Sequence, residues 1–459
     1  MKITVIILAA GEGSRMRSSL PKVLHRLGDR PLLAHVLDTV TALDTSELRV
    51  VYGHGGEQVR ASVDRPGIIW IHQASQLGTG HAVQQAIDGI DDDDIVLVLY
   101  GDVPLITADT LHQLLAKAGP RSLALLTVQL PDPHGYGRII RSNGGDIIRI
   151  VEEKDASVAQ RQITEVNTGF MAAPAHRLRR WLEQLDNDNT QREYYLTDVV
   201  ALAVNEGVTV SGVTTADIDE VMGVNTRGQL EHLERCLQRR IADQLMTQGV
   251  TVKDASRLDV RGTVTAGRDC IIDVNVVFEG RVQLGERVMI GPNCVIRNSV
   301  LADDVVIHAC SVIDQAVIGH GARIGPFARI RPGSELAADV HIGNFVEIKK
   351  STVGQGSKVN HLSYVGDATI GSGVNIGAGT ITCNYDGANK HQTIIEDDVF
   401  VGSDCQLIAP VTLGKGSTIG AGSTINRDTP PEQLTLSRSQ QKSIAGWQRP
   451  RKKDSSKKD

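Results

Sequence analysis

A chain of 459 residues exceeds what one ordinary core organises, about 250–300 residues, so two domains or more are expected. Charged residues make up 22% and the formal net charge is -6, a balance that does not point to nucleic acid. Glycine is common, at 46 residues, while aromatics are only 3%, which suits tight turns and thin layers better than a bulky core.

In chain order, Lys2 precedes a short apolar run from Ile3 to Ala10. That run is β-branched and leads into a glycine-rich loop, so it reads as a strand and not as a signal peptide. Ile3 to Leu8, Ile68 to Ile71, Ile95 to Tyr100 and Leu123 to Val128 are predicted strands. Their near-continuous apolar character fits burial on both faces of a mostly parallel sheet. Leu32 to Leu43 and Thr79 to Ile87 are predicted helices. This alternation predicts an open α/β sheet over the first half of the chain, with nucleotide-binding potential.

Two segments in this half carry chemistry. Leu8 to Leu24 reads LAAGEGSRMRSSLPKVL. Gly11 and Gly13 let backbone N–H groups approach a polyphosphate, and Arg15 and Lys22 add positive charge. No third glycine completes a dinucleotide fingerprint, and the spacing is not that of a Walker loop. The second segment, IVLVLYGD, puts Asp102 at the carboxyl end of a buried strand, where open sheets bind ligands and a carboxylate suits Mg²⁺. The preceding Asp91 to Asp94 run reads as a solvated turn.

From Thr226 to about Gln248, Leu230, Leu233, Leu237, Ile241 and Leu245 recur at helical spacing, predicting a connector helix. Beyond Asp259 the period becomes six. Ile272, Phe278, Leu284, Ile290 and Ile296 form one register, Ile318 to Ile348 a second, and Ile395 to Ile425 a third. Such hexads predict a parallel β-helix, in which each hexad supplies one short strand and one turn and aims its aliphatic residue inward. The period breaks twice: one residue is lost between Val365 and Ile370, and CNYDGANKHQT, Cys383 to Thr393, interrupts the column. Interruptions of this kind favour the binding face. His361 lies within a few coils of Lys349, Tyr364, Asn375, Asn384 and Tyr385. Imidazole titrates near neutrality and suits a general base toward an amine that attacks a thioester. The six cysteines, Cys236, Cys270, Cys294, Cys310, Cys383 and Cys405, include no CxxC pair, so neither a metal nor a disulfide scaffold is expected and they read as small buried thiols of a reducing compartment. No stretch is long enough to cross a bilayer, and residues 449–459 read as a disordered basic tail.

LAAGEGSRM, LPK, QLGTGHAV and YGDVPL resemble the sugar-nucleotide pyrophosphorylases. Joined to a hexapeptide solenoid ending in NRD, they resemble the bifunctional N-acetylglucosamine-1-phosphate uridyltransferase/glucosamine-1-phosphate N-acetyltransferase family, from about Ile3 to Trp447. The resemblance implies a Rossmann-like nucleotidyltransferase domain over residues 1–227, a linker helix over 228–248 and a left-handed parallel β-helix over 249–448. It implies that Leu8, Ala9, Ala10 and Gly11 hold UTP, with Lys22 on phosphate, and that Gln73, Gly78 and Thr79 read the uracil. Tyr100, Gly101 and Asp102 would lie by the sugar and metal, Gly137, Glu152 and Asn167 would bind N-acetylglucosamine 1-phosphate, and Asn225 would join Asp102 on Mg²⁺. In the solenoid it implies His361 as base, with Glu347 and Ser403 orienting the reacting groups. Arg331, Lys349, Tyr364 and Asn375 would hold glucosamine 1-phosphate. Ala378, Asn384, Tyr385, Ser403, Ala421 and Arg438 would line an acetyl-CoA site. A homotrimer with sites between solenoids, a cytoplasmic location and a role in cell-wall and envelope precursor synthesis are also implied. Neither nucleic acid nor membrane is an expected partner. Two rival readings are a nucleotidyltransferase whose solenoid only assembles the oligomer, and a non-catalytic sugar-nucleotide sensor.

Overall fold

The computed structural model describes residues 2–53, 55–63 and 65–450, so most of the expected basic tail lies outside the described residues. The chain divides between Ile241 and Ala242 into two compact units.

The first unit is an α/β sheet. Its strands are β1 (Ile3–Ala9), β2 (Glu47–Tyr52), β3 (Ile68–His72), β4 (Ile95–Tyr100), β5 (Ser122–Gln129), β6 (Arg138–Arg141), β7 (Ile147–Val151), β8 (Glu165–Pro174) and β9 (Thr209–Thr215). The main order is β9-β5-β8-β4-β1-β2-β3, with the β6–β7 hairpin attached to β8. Neighbours along the main order run parallel except at β8, which is antiparallel to both β4 and β5. Side chains of a strand point alternately to opposite faces, so the continuous apolar runs feed two cores. Val5, Ile7, Leu97 and Leu99 pack with Leu33, Val36 and Leu37 of α1 (Leu32–Thr41). Ile6, Val96 and Val98 pack with Val83 and Ala86 of α2 (Thr79–Ile87) and with Trp181. Each fully buried aliphatic side chain here contributes roughly 1.5–3 kcal/mol.

Two expectations change. The strand at Ile68 to Ile71 forms, but as the edge strand β3, and Ile69 is 41% exposed. Among the described residues no further strand pairs beyond it, so its apolar composition does not mean burial on both faces. Asp94 leaves the solvated run, because its carboxylate accepts from Thr4 Oγ1 at 2.8 Å and the residue is buried, whereas Asp91, Asp92 and Asp93 are exposed. Strands β2, β6, β7, β8 and β9 were not read from the sequence. In β8 a bulge between Asn167 and Met171 interrupts the apolar alternation that would have marked it.

Helix α3 (Arg227–Thr247) forms where a helix was expected, and the division between the units falls within it. Its stretch through Ile241 belongs to the N-terminal unit: Leu233 is buried among Met16, Leu27, Leu32, Leu105 and Val224. Glu234 accepts from Gly28 N at 2.8 Å, and Arg240 donates to Leu105 O at 2.8 Å.

The second unit is a parallel solenoid of short strands from Thr251–Val252 to Leu434–Thr435. Each strand pairs in parallel with the equivalent strand of the next coil, as in Phe278 opposite Ile296 and Ile330 opposite Ile348. The inward residues of all three registers are buried, including Ile296, Ile324, Ile330, Ile348, Val401 and Leu407. The lost residue between Val365 and Ile370 has three counterparts that the sequence reading passed over, after Ile296, Ile313 and Ile348. The shortened corners turn on residues with left-handed φ, Asn298 at 43°, Gln315 at 44°, Lys350 at 45° and Asp367 at 49°. A left-handed residue reverses the chain in fewer steps, so the strand register survives the deletion. The CNYDGANKHQT insertion folds back on itself through a Tyr385–Lys390 bridge, and the column resumes with Thr393 opposite Ala368.

Candidate active sites

The carboxyl ends of β1 and β4 open into a cleft of about 420 Å³ lined by Leu8, Ala9, Ala10, Gly11, Lys22, Gln73, Gly78, Thr79, Tyr100 and Asp102. These ten expected residues therefore share one cavity. Gly101 does not line it; its N–H donates to Leu8 O at 2.9 Å and spaces Tyr100 from Asp102. Arg15 is exposed and also outside the lining. Gly13 has φ 65°, and a Cβ there would come within 2.7 Å of Lys22 Cβ, so only glycine lets the loop lie against the lysine stem.

Lys22 Nζ is 2.5 Å from Asp102 Oδ2 and 3.2 Å from Asn225 Oδ1. Residues from three distant parts of the chain thus converge on one cation, here an ammonium. Backbone bonding holds the arrangement, since Val224 N donates to Asp102 O at 2.9 Å. Gln73 is buried, and its Nε2 engages Gly78 O at 3.3 Å and His81 Nδ1 at 3.0 Å. Burial and the nearby Glu152 and Asp102 carboxylates push the Tyr100 phenol well above its ordinary pKa, so it stays protonated.

Gly137, Glu152 and Asn167 form a second group beside the β6–β7 hairpin. Asn167 N donates to Gly137 O at 2.8 Å. A Cβ on Gly137 would meet Ile150 Cγ2 at 2.9 Å and the Glu152 carboxylate at 3.4 Å. Burial pushes the Glu152 pKa up, opposed by a 3.0 Å hydrogen bond from Thr197 Oγ1. Asn167 Oδ1 is buried without a partner, an acceptor that a ligand could satisfy. Sequence reasoning named neither Gln76 nor Glu193, which also line the cleft. Gln76 donates to Ala10 O at 2.7 Å and stands one residue before LGTG, so the motif contained it; Glu193 carried no signal.

In the solenoid the expected residues fall into two groups. Arg331, Glu347, Lys349, Tyr364 and Asn384 share one sheet region. Arg331 Nη1 is 2.7 Å from Glu347 Oε1, and Lys349 Nζ is 3.4 Å from Asp367 Oδ2. Asn384 Nδ2 donates to Asp367 Oδ2 at 2.5 Å and reaches Tyr364 OH at 3.5 Å. The Lys390 pKa is pushed below its ordinary value by direct approach to Lys349 and by like charge, a pairing that an anion would relieve. Asp367 and Lys390 were not predicted; Lys390 lies in the quoted insertion, and Asp367 is one coil from Lys349.

The other group stacks along one corner. His361 Nδ1 is 3.0 Å from Asn344 Oδ1, its neighbour one coil back. Backbone bonds continue the corner: Gly379 N to His361 O at 3.3 Å, Asp404 N to Ala378 O at 2.7 Å, Gly422 N to Ser403 O at 2.8 Å. Ala421 and Arg438 follow; a Cβ on Gly420 would lie 3.6 Å from an Arg438 terminal nitrogen. Asn344 was not predicted, although its offset of 17 residues from His361 is a one-coil signal. Asn375 pairs with Lys358 and Phe400, in the sheet of His361 and not in that of Lys349 and Tyr364. Among the described residues no hydrogen bond or ion pair joins His361 to the Lys349 group. Tyr385 is exposed, its hydroxyl donating to Gly387 O at 2.6 Å.

Comparison with known proteins fits this geometry. Residues 5–197 match the MobA-like NTP transferase domain, 260–344 the GMPPB C-terminal domain, and 392–427 the bacterial transferase hexapeptide family of six repeats. The chain is 58% identical to the bifunctional protein GlmU of Azoarcus sp. (strain BH72), covering 97% of this chain and 99% of that one. It is 57% identical to the bifunctional protein GlmU of Nitrosospira multiformis, covering 98% of each. It is 56% identical to that of Marinobacter nauticus, over 98% and 99%. With a nucleotidyltransferase cleft, a hexapeptide solenoid and this identity over nearly the whole length, the chain belongs to the bifunctional GlmU family.

Proposed function

We propose that the cleft at Asp102 and the His361 corner are the two active sites of one enzyme, each doing the chemistry its residues suit. The protein is an acetyltransferase and a uridyltransferase of UDP-N-acetylglucosamine synthesis. The product of the first reaction, N-acetylglucosamine 1-phosphate, is the substrate of the second. The observation that carries the uridyl reading is the convergence of Lys22, Asp102 and Asn225 at the end of β4.

Asp102 and Asn225 would hold Mg²⁺, since their oxygens already converge on a cation. Bound there, the metal would offset charge on the phosphates. Lys22, displaced from that bridge, would turn to phosphate. Both amide hydrogens of Gln73 are engaged, so its carbonyl oxygen is the group available to the imide N–H of uracil. Asn167 and Glu152 would bind the acetylated sugar, with Gly137 keeping the approach open. The sugar phosphate oxygen attacks the α-phosphorus in line, the bond to the departing phosphate breaks, and pyrophosphate leaves. Fixed positive charge, not acid–base chemistry, does most of this work.

In the second site an asparagine Oδ1 only accepts, so the 3.0 Å contact suits the His361 tautomer that carries its proton on Nδ1 and offers Nε2 as the base. The amine nitrogen of glucosamine 1-phosphate attacks the thioester carbonyl of acetyl-CoA. His361 takes the amine proton, the C–S bond breaks, and the coenzyme A sulfur leaves. Arg331, Lys349, Tyr364 and Lys390 would hold the phosphate, while Ala378, Ser403, Ala421 and Arg438 would run along the acetyl-CoA. Because His361 and Asn375 stand apart from the Lys349 group within one chain, a complete site needs neighbouring chains. The exposed column of Phe327, Phe345 and Leu362 beside His361, with the two phenyl rings stacked 5.3 Å apart, supports a homotrimer. The cytoplasm, where both acetyl-CoA and UTP are available, is the proposed location; among the described residues no helix is long and apolar enough to cross a membrane.

The test divides the chain. Fragment 1–248 should release pyrophosphate from UTP, and fragment 229–459 should release thiol from acetyl-CoA; the first fragment keeps α3 because the helix packs on the first unit through Ile241. If both fragments fold and neither retains its activity, the assignment of one site to each unit fails.

A further inference from the structure

Outside both sites, one cluster of ligand-type side chains has no role in either reaction. His232 and Cys236 are four apart on α3, so they project from one face of the helix. Asp219, on the short helical turn Asp219–Val221, faces them. Its Oδ1 lies 2.7 Å from His232 Nε2 and its Oδ2 lies 3.2 Å from Cys236 Sγ. Cys236 Sγ and His232 Nε2 are 3.7 Å apart. One nitrogen, one sulfur and the two oxygens of one carboxylate therefore lie around a common point.

We propose that Asp219, His232 and Cys236 form a binding site for a borderline-soft divalent cation of the zinc class. Tetrahedral zinc, with bonds of about 2.0–2.1 Å to nitrogen and oxygen and about 2.3 Å to sulfur, sets its donors roughly 3.3–3.6 Å apart. The sulfur–nitrogen separation already has that size, and the sulfur–oxygen separation is close to it. The histidine–carboxylate contact, now at hydrogen-bond length, must open by roughly 0.6 Å or more, and the sulfur–oxygen contact by a few tenths of an ångström. His232 is half exposed, so the ion has a route in and water can fill the fourth position. Binding replaces two shared hydrogens. The Cys236 thiol proton goes to solvent, and neutral His232 carries its proton on Nδ1 instead of Nε2. Arg240, the nearby positive group, has its guanidinium 2.8 Å from the Asp217 carboxylate, which offsets its repulsion of the ion.

The site would act as a clasp. Asp219 precedes Asn225 and the two helical ligands follow it, so the cation closes the segment that carries Asn225 to the cleft. Hydrogen bonds from Thr107 N and Oγ1 to Glu220 Oε1, at 3.0 and 2.6 Å, anchor the same turn. The pairing of His232 with Cys236 depends on helical spacing, while Asp219 joins them only through folding.

The test uses the full-length protein with saturating Mg²⁺, titrated with Co²⁺ as a spectroscopic substitute for zinc. One equivalent of Co²⁺ should give a thiolate-to-cobalt charge-transfer band and the intense visible bands of a tetrahedral site. Addition of Zn²⁺ should bleach both. Cys236→Ser should lose the charge-transfer band, and His232→Gln should lose binding at equimolar cobalt, while both variants keep both enzymatic activities. Zn²⁺ should raise the Tm of the parent protein and leave that of Cys236→Ser unchanged. Cobalt bound without a thiolate band, or a band that survives in both variants, would overturn the proposal.

Discussion

The two units build their sites by opposite routes. In the α/β unit, Lys22, Asp102 and Asn225 come from a loop, a strand end and the approach to α3, and meet because parallel strands deliver their carboxyl ends to one edge. In the solenoid, neighbours such as Asn344 and His361 meet because one coil takes 17 or 18 residues. A sheet gathers distant residues at a point; a solenoid spreads near-periodic residues along a line. The first can complete a charged cleft within one chain. The second sets His361 and the Lys349 group in different sheets of the column, a separation that the proposed homotrimer would bridge.

Five substitutions probe that difference, beginning with the largest expected effect. His361→Ala should lower kcat for acetylation by ~10²–10⁴-fold, with kcat/KM falling in parallel and uridyl transfer unchanged. Steady-state thiol release measures it, and a wild-type kcat would return the solenoid to an assembly role. Asp102→Ala should lower pyrophosphate release with Mg²⁺ by ~10²–10³-fold and spare acetylation. Near-normal release would place the metal elsewhere.

Packing tests the same contrast. Leu97→Ala in β4 and Ile348→Ala in the solenoid each remove a fully buried aliphatic side chain and should each cost about 2–5 kcal/mol. Leu97→Ala should shift the urea transition that removes uridyl transfer. Ile348→Ala should shift the one that removes acetylation, because coils depend on their immediate neighbours. Loss of both activities together from either variant would mean that the units unfold as one.

The smallest effect concerns Glu165, which receives two hydrogen bonds from Arg141, at 2.7 and 2.8 Å. Those bonds hold its pKa below the ordinary carboxylate value, against the opposing effect of burial. A depressed folded-state pKa stabilises the fold above the unfolded value, near 4.3, and that contribution fades as pH falls through the folded one. Glu165→Gln should therefore cost about 1 kcal/mol at pH 7, reduced by the partial exposure of Arg141, and progressively less in acid. An equal cost at low pH would assign the effect to shape and not to charge.

Much of this protein was set by local sequence. Hexad spacing determined the solenoid because one inward aliphatic residue per six is a requirement of the column itself, and the buried registers from Ile272 to Ile425 follow it. The glycine loop and IVLVLYGD marked the cleft because strand, turn and acid are contiguous there. Tertiary structure decided the rest. It made β3 an edge despite its apolar residues, buried Asp94 through Thr4, and set Asn225 beside Lys22 across 203 positions. It also separated His361 from Lys349, and drew Asp219 to His232 and Cys236. Periodicity records what a residue owes to its own strand or coil. Contacts between distant segments are fixed only when the cores close, and no spacing along the chain encodes them.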